Sequence, residues 1–231
     1  MMVEVLQGTG TPETADELHD ITETFVMELN GKQTIYQMMR LAEEVTRRGG
    51  HPEDPLVYKE KYHRRLLERI KSRRKTLREG SDPEGSLVPG SLLILKTLRE
   101  RGVLLHLASG TDELYVREEA ELLGLTSFFG DHIHGALADH KAFSKAMVIE
   151  RILAENKIDG ASLIGFGDGY VEIQNIREAG GLAIAVASDE TGRSGKPDEW
   201  KRNRLISAGA HMVIPDFQEA EKLTEFLFDS R

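Results

Sequence analysis

The sequence predicts an α/β fold in which a helical domain precedes a doubly wound parallel sheet. Three observations carry this expectation. From residue 86 onward, short apolar stretches alternate with amphipathic ones. The stretches at 103–108, 161–166, 182–187 and 211–214 are apolar on successive residues, as strands buried on both faces are. Before residue 86 there is helical periodicity and no convincing strand. The expected domains are therefore 1–85 and 86–231, joined by the turn-rich Gly-Ser-Asp-Pro-Glu-Gly-Ser stretch at 80–86.

The elements follow in order. Thr14 or Asp16 caps a helix running to about Leu29, which Asn30-Gly31 ends. Ile35, Met38, Met39, Ala42 and Val45 line one face of the next helix, and Gly49-Gly50-His51-Pro52 breaks it. Asp54-Pro55 opens a third. Residues 59–78 carry ten bases against two acids, while Tyr58, Tyr62, Leu66, Ile70 and Leu77 recur at helical spacing. One amphipathic helix with a basic outer face is predicted, either a solvated surface or a positive rim for an anionic substrate. In the second domain, helices are expected at 92–101, 112–123, 144–156, 170–179, 200–208 and 217–228, several ended by Gly.

Composition excludes several classes of function. The 231 residues include no Cys, which removes disulfide scaffolds, thiolate metal sites and cysteine nucleophiles and makes a reducing cytoplasm the default location. No apolar run reaches the ~18 residues of a membrane helix, so no membrane partner is expected. The net charge of −9 argues against general nucleic-acid binding.

Ligands of open parallel sheets bind at the carboxyl ends of the strands. After the 103–108 strand comes Ala108-Ser109-Gly110-Thr111-Asp112: a hydroxyl, a flexible Gly and a helix start, a combination that serves an anion site or an ordinary cap. After the 161–166 strand comes Gly165-Phe166-Gly167-Asp168-Gly169-Tyr170-Val171-Glu172. This is no dinucleotide loop, because Tyr170 replaces the third Gly and an Asp at the tip would repel a pyrophosphate. Asp168 and Glu172, four apart at a helix start, can face one point, and two hard oxygen ligands suit Mg²⁺. Asp168 as a simple cap is the alternative. Between these loops, Ser144 caps a helix whose first turn holds Lys145. A cation there opposes the helix dipole unless an anion is near. Lys141, in the preceding loop, is the other candidate lysine.

Ser-Gly after an apolar strand, Lys leading a helix, and Gly-Asp-Gly-x-x-x-Glu after the next strand together resemble the haloacid dehalogenase superfamily of phosphohydrolases. The resemblance covers 86–228, and 1–85 looks like that family's helical cap. It implies a Rossmann-like core and a phosphomonoester hydrolase acting on a small phosphorylated metabolite. Ser109 and the Gly110 amide would bind the phosphoryl oxygens, Lys145 would neutralise charge, and Asp168 would hold Mg²⁺ with Glu172 in support. The family's nucleophile, the first Asp of an Asp-x-Asp on the first, central strand, has no counterpart here. The expectation is that it lies upstream of residue 1, that the chain as given is inactive, and that a gap separates the 103–108 and 161–166 strands. The alternative is a non-catalytic α/β module that binds phosphate or a partner.

Other candidates have plainer readings. Asp131-His132-Ile133-His134 reads as a surface strand, with a metal pair as the alternative. His106 reads as a buried, satisfied histidine. Residues 198–204 around Trp200 read as an amphipathic helix.

Overall fold

The computed structural model describes residues 1–81 and 83–228; Asp82 in the 80–86 hinge and 229–231 lie outside the described residues. The chain forms two units, Met1–Thr76 and Leu77–Arg231. The boundary falls within a basic helix, ahead of the hinge expected to separate the domains.

The first unit is helical. It comprises α1 (Met2–Gln7), α2 (Ala15–Glu28), α3 (Thr34–Arg47), α4 (Pro55–Arg69) and the start of α5 (Lys71–Arg78). Thr14 forms a capping box with Glu17, and Asp54 caps α4 ahead of a Pro at its first turn. Leu6, Leu18, Phe25, Ile35, Met38, Leu41, Val45 and Tyr58 build its core. One acid is buried inside. Glu44 is held by Arg40 at 2.8 Å and Arg48 at 2.6 Å, and Arg48 reaches on to Glu13. The basic stretch is two helices, not one, because Ile70 adopts a turn conformation (φ −95°, ψ 3°) between α4 and α5. Past this break Arg74 is buried, so the face is not uniformly outward.

The second unit continues with α6 (Ser91–Glu100), β1 (Leu107–Asp112), α7 (Glu113–Leu122), α8 (Thr126–Phe129), β2 (Ile133–Ala136) and α9 (Lys145–Asn156). Then follow β3 (Ile164–Gly167), α10 (Tyr170–Glu178), β4 (Leu182–Val186), α11 (Glu199–Ser207), β5 (Met212–Ile214) and α12 (Ala220–Phe228). All strand pairs are parallel. The double winding follows from the two-residue period of β4. Ile184 points to Ile94 and Leu98 of α6 and Leu223 of α12, while Ala183 and Ala185 point to Ile173 and Ile176 of α10 and Leu205 of α11. Among the described residues no helix is long and apolar enough to cross a membrane.

The strands form two sheets, β1-β2 and β3-β4-β5. Val103 and Leu105 ahead of β1 pack with Ile164 and Phe166 of β3 against the same α6–α12 layer. The two sheets thus share a helical floor, yet no ladder joins β1 to β3: the expected gap. It also explains a shift. The strand read at 103–108 begins only at Leu107, because 103–106 has no strand beside it to complete a ladder, and it runs on through Ser109 and Gly110 to Asp112. Likewise Gly160–Ser162 form a 3₁₀ segment before β3, and 217–219 precede α12 as a turn. The 131–134 stretch is not a surface strand, since Ile133 is buried in the pair with β1.

Candidate functional site

The Asp168 loop follows the carboxyl end of β3, whereas the Ser109-Gly110 segment, expected as a loop, lies inside β1 because that strand runs on to Asp112. α9 packs along β1 on one side and against α10 on the other, so its first turn lies beside the first turn of α10. Ser144 caps α9 by accepting the N–H of Met147 at 3.1 Å, which fixes Lys145 as the first helical residue. Gly169 ends the β3 loop in extended conformation and starts α10, putting Glu172 in its opening turn.

Lys145 and Glu172 meet as an ion pair, with side chains 11% and 15% exposed. Burial pushes the Lys145 ammonium down to about 8, against the opposing pull of the Asp168 carboxylate. Asp168 itself is exposed at the loop tip. Lys141 lies in an exposed turn, its amide bonded to Asp139. Of the two candidate lysines, Lys145 is therefore the one turned toward both carboxylates.

Glycine makes the Glu172 position possible. A Cβ at Gly169 would stand 2.2 Å from Glu172 Oε2, and one at Gly167 would stand 2.8 Å from Glu172 Cβ. The carboxylate folds back over a loop stripped of side chains. Its Oε1 faces Lys145, while Oε2 is buried without a hydrogen-bond partner. A buried carboxylate oxygen left unpaired is costly, on the order of 1–3 kcal/mol or more. Together with the exposed Asp168 carboxylate, this orphaned oxygen gives a hard-oxygen donor set that fits Mg²⁺, which typically takes one or two protein carboxylates and fills its shell with water and phosphate. The one cluster of three metal-competent side chains among the described residues lies elsewhere, at His19, Asp20 and Glu23 on the exposed face of α2.

Ser109 stands apart from this group. Its hydroxyl accepts the Thr111 N–H at 3.2 Å within β1, where the β1–β2 register is irregular between Ala108 and Asp112. The Gly110 amide lies in the same irregular segment. The structure thus brings Lys145, Asp168 and Glu172 together and leaves Ser109, bonded to Thr111, and Gly110 within β1.

His106 joins the His132 and His134 pair, an assembly that the sequence does not show. His106 stacks on His134 and meets a tilted His132 ring, with ring centroids 5.5 and 4.4 Å away. His106 is not a satisfied histidine, because its Nε2 is buried without a partner. The alternation of His132 and His134 was a visible signal. The parallel register that sets His106 beside them was not.

The family profile of haloacid dehalogenase-like hydrolases matches residues 20–180. Solved structures share the fold. A predicted phosphoglycolate phosphatase from Haemophilus somnus has 15% identity and a TM-score of 0.60, over 96% of this chain and 88% of that one. A beta-phosphoglucomutase from Clostridium difficile has 14% identity and a TM-score of 0.57, over 97% and 88%. A hydrolase of the same family from Deinococcus radiodurans, with bound phosphate and sodium, has 16% identity and a TM-score of 0.55, over 99% and 88%. No curated protein matches the sequence.

Proposed function

The chain belongs to the haloacid dehalogenase-like hydrolases, and from that premise we propose that its α/β unit is the core of a Mg²⁺-dependent phosphomonoester hydrolase for a small phosphorylated metabolite. The observation that carries this reading is the buried Lys145 ammonium held between Glu172 and Asp168 at the strand ends. A cation kept there at the start of a helix is suited to an anion that displaces the carboxylate contact. In this reading Lys145 neutralises charge developing on the phosphoryl oxygens. The Ser109 hydroxyl turns from the Thr111 amide to donate to one of those oxygens, and the Gly110 N–H donates to another. Phosphoryl transfer needs mainly such positioning and charge compensation. Asp168 and Glu172 would hold Mg²⁺, which when bound supplies Lewis-acid polarisation of a phosphoryl oxygen.

The nucleophile of this chemistry is a carboxylate that forms an aspartyl-phosphate, and the chain contains no Asp-x-Asp. We place that carboxylate on a strand, upstream in sequence, that fills the slot between β1 and β3. The absence of the motif favours a second reading for the chain as given: the same residues act as a non-catalytic phosphate-binding module. Neither reading calls on nucleic acid or a membrane, and both suit the cytoplasm that the cysteine-free composition suggests. The similar structures described as a phosphatase and a phosphoglucomutase, and the one holding phosphate, support the substrate class.

Calorimetric titration of inorganic phosphate into chain 1–231 with Mg²⁺ tests the binding half of both readings. Lys145 is charged below about 8. Affinity should therefore hold to that pH and then fall by up to roughly tenfold per unit as the ammonium loses its proton. Lys145→Ala should abolish this dependence and weaken binding by at least about tenfold, the loss of one charge-assisted contact. Affinity unchanged from pH 7.5 to 10 would remove Lys145 from the site.

A further inference from the structure

Three histidines gather on the face of β1-β2 that α9 covers. Arg151 Nη2 lies 2.8 Å from His134 Nδ1, and His134 Nε2 lies 3.2 Å from His106 Nδ1. His106 Nε2 closes the line, buried and without a partner. The His106 and His134 ring planes are 15° apart, and the His132 ring tilts against His106.

Chemistry assigns the protons along this line. A guanidinium only donates, so His134 Nδ1 accepts. A neutral imidazole has one N–H, so the His134 proton is on Nε2 and is donated to His106 Nδ1. The His106 proton is then on Nε2, where nothing receives it. The reverse assignment would leave His134 with no proton at all. Neither ring can take a second proton in place. On His134 Nδ1 it would meet an Arg151 N–H, and on His106 Nδ1 it would meet the N–H of His134.

The surroundings act in the same direction. α9 presents Arg151 and Glu150, α7 presents Glu113 and Arg117, and the β2 segment presents His132. Glu113 favours a proton on His134, but it is engaged by Arg117 at 2.8 Å. Burial, and then the neighbouring His132, His134 and Arg151, push His106 down to about 4, and burial with Arg151 lowers His134. A divalent metal between the two facing nitrogens is disfavoured: it would force the His134 proton onto Nδ1 and add charge beside a guanidinium.

We propose that Arg151, His134 and His106 form an acid-released latch that holds α9 against the β1-β2 pair, closed while both imidazoles are neutral and opened when either takes a proton. Fold and latch are coupled directly. His106 immediately precedes β1, which carries Ser109, and α9 begins at Lys145, so opening loosens both the β1 segment that holds Ser109 and the first turn of α9. The latch stands or falls independently of any phosphate chemistry there.

The sign follows from linkage. The closed form binds protons more weakly than a free histidine of ordinary value 6.5, so between about pH 6.5 and 4 acid favours the open form. The test uses the full chain at micromolar concentration. Deuterium exchange at the histidine C2–H, read by mass spectrometry, gives each ring's titration, and ring ¹⁵N shifts at pH 7.5 give the tautomers. Both His106 and His134 should be Nε2–H tautomers, and His106 should have a proton affinity at least about tenfold below the ordinary value. After correction for intrinsic rates, amide exchange in 145–156 should rise from pH 7.5 to 4.5 while that of β4 stays low. Arg151→Met should raise the His134 midpoint and leave exchange in 145–156 nearly independent of pH. An Nδ1–H tautomer on His134, His106 titrating near 6.5, α9 and β4 opening together, or an Arg151→Met chain behaving as wild type would each overturn the latch.

Discussion

Extended by a strand bearing Asp-x-Asp, the chain should hydrolyse an activated aryl phosphate with Mg²⁺, and Asp168→Ala should then lower the rate on the order of 10³-fold, the scale of removing a major electrostatic stabiliser. Chain 1–231 itself should turn over no faster than its own Asp168→Ala variant. In the proposed mechanism Lys145, Ser109 and Gly110 would place and neutralise a phosphoryl group, but without a carboxylate in line with the leaving oxygen no aspartyl-phosphate would form. Steady-state release of the aryl alcohol at fixed Mg²⁺, for the four proteins side by side, reads the prediction. Robust, Asp168-dependent turnover by chain 1–231 would show that its nucleophile is already among these residues and would sink the proposed mechanism.

The second large effect is on stability. β1 and β3 each present one unpaired edge toward the slot between the sheets. Apolar residues at 103, 105, 164 and 166 flank that slot on a shared helical floor. These strands are half-buried, so backbone groups unpaired along the two edges cost less than the ~1–3 kcal/mol of fully buried ones, yet a row of them weighs against the ~5–15 kcal/mol margin of a whole domain. Chain 1–231 should therefore bind a hydrophobic dye and self-associate through these edges. The strand-extended form should be monodisperse, with a higher and sharper melt. Light scattering and a thermal scan of both forms decide it. If chain 1–231 is monodisperse and melts cooperatively with no dye uptake, the two sheets are complete as they stand, and the phosphate-binding module becomes the better reading.

The sequence shows much of this architecture for identifiable reasons. β4 is visible because Leu182 to Val186 are apolar on every residue, and α2 because Thr14 stands ahead of it as a cap. The start of β1 was misplaced because the 103–106 stretch has strand-like hydrophobicity but no neighbour to pair with, and pairing is a property of the fold rather than of the segment. The break at Ile70 is not visible in the sequence because the apolar periodicity continues across the turn. At the candidate site, Lys145, Asp168 and Glu172 were legible from spacing. Glu172 bonding to Lys145, with its other oxygen orphaned over Gly167 and Gly169, was not: it depends on how α9 and α10 pack. The His106–His134–Arg151 line was hidden for the same reason, since its members are 28 and 17 residues apart.

The proposal that Ser109, Lys145 and Asp168 converge on a bound phosphate is tested most directly by a crystal structure of the chain grown with phosphate and Mn²⁺, the metal located by its anomalous scattering. The expected result is one phosphate at the ends of β1 and β3, within hydrogen-bond reach of Ser109 Oγ, the Gly110 N–H and Lys145 Nζ. The metal should lie about 2.1 Å from an Asp168 oxygen, a distance suited to a small hard cation. A phosphate bound elsewhere, with Lys145 still locked to Glu172 and Asp168 facing only solvent, would contradict it.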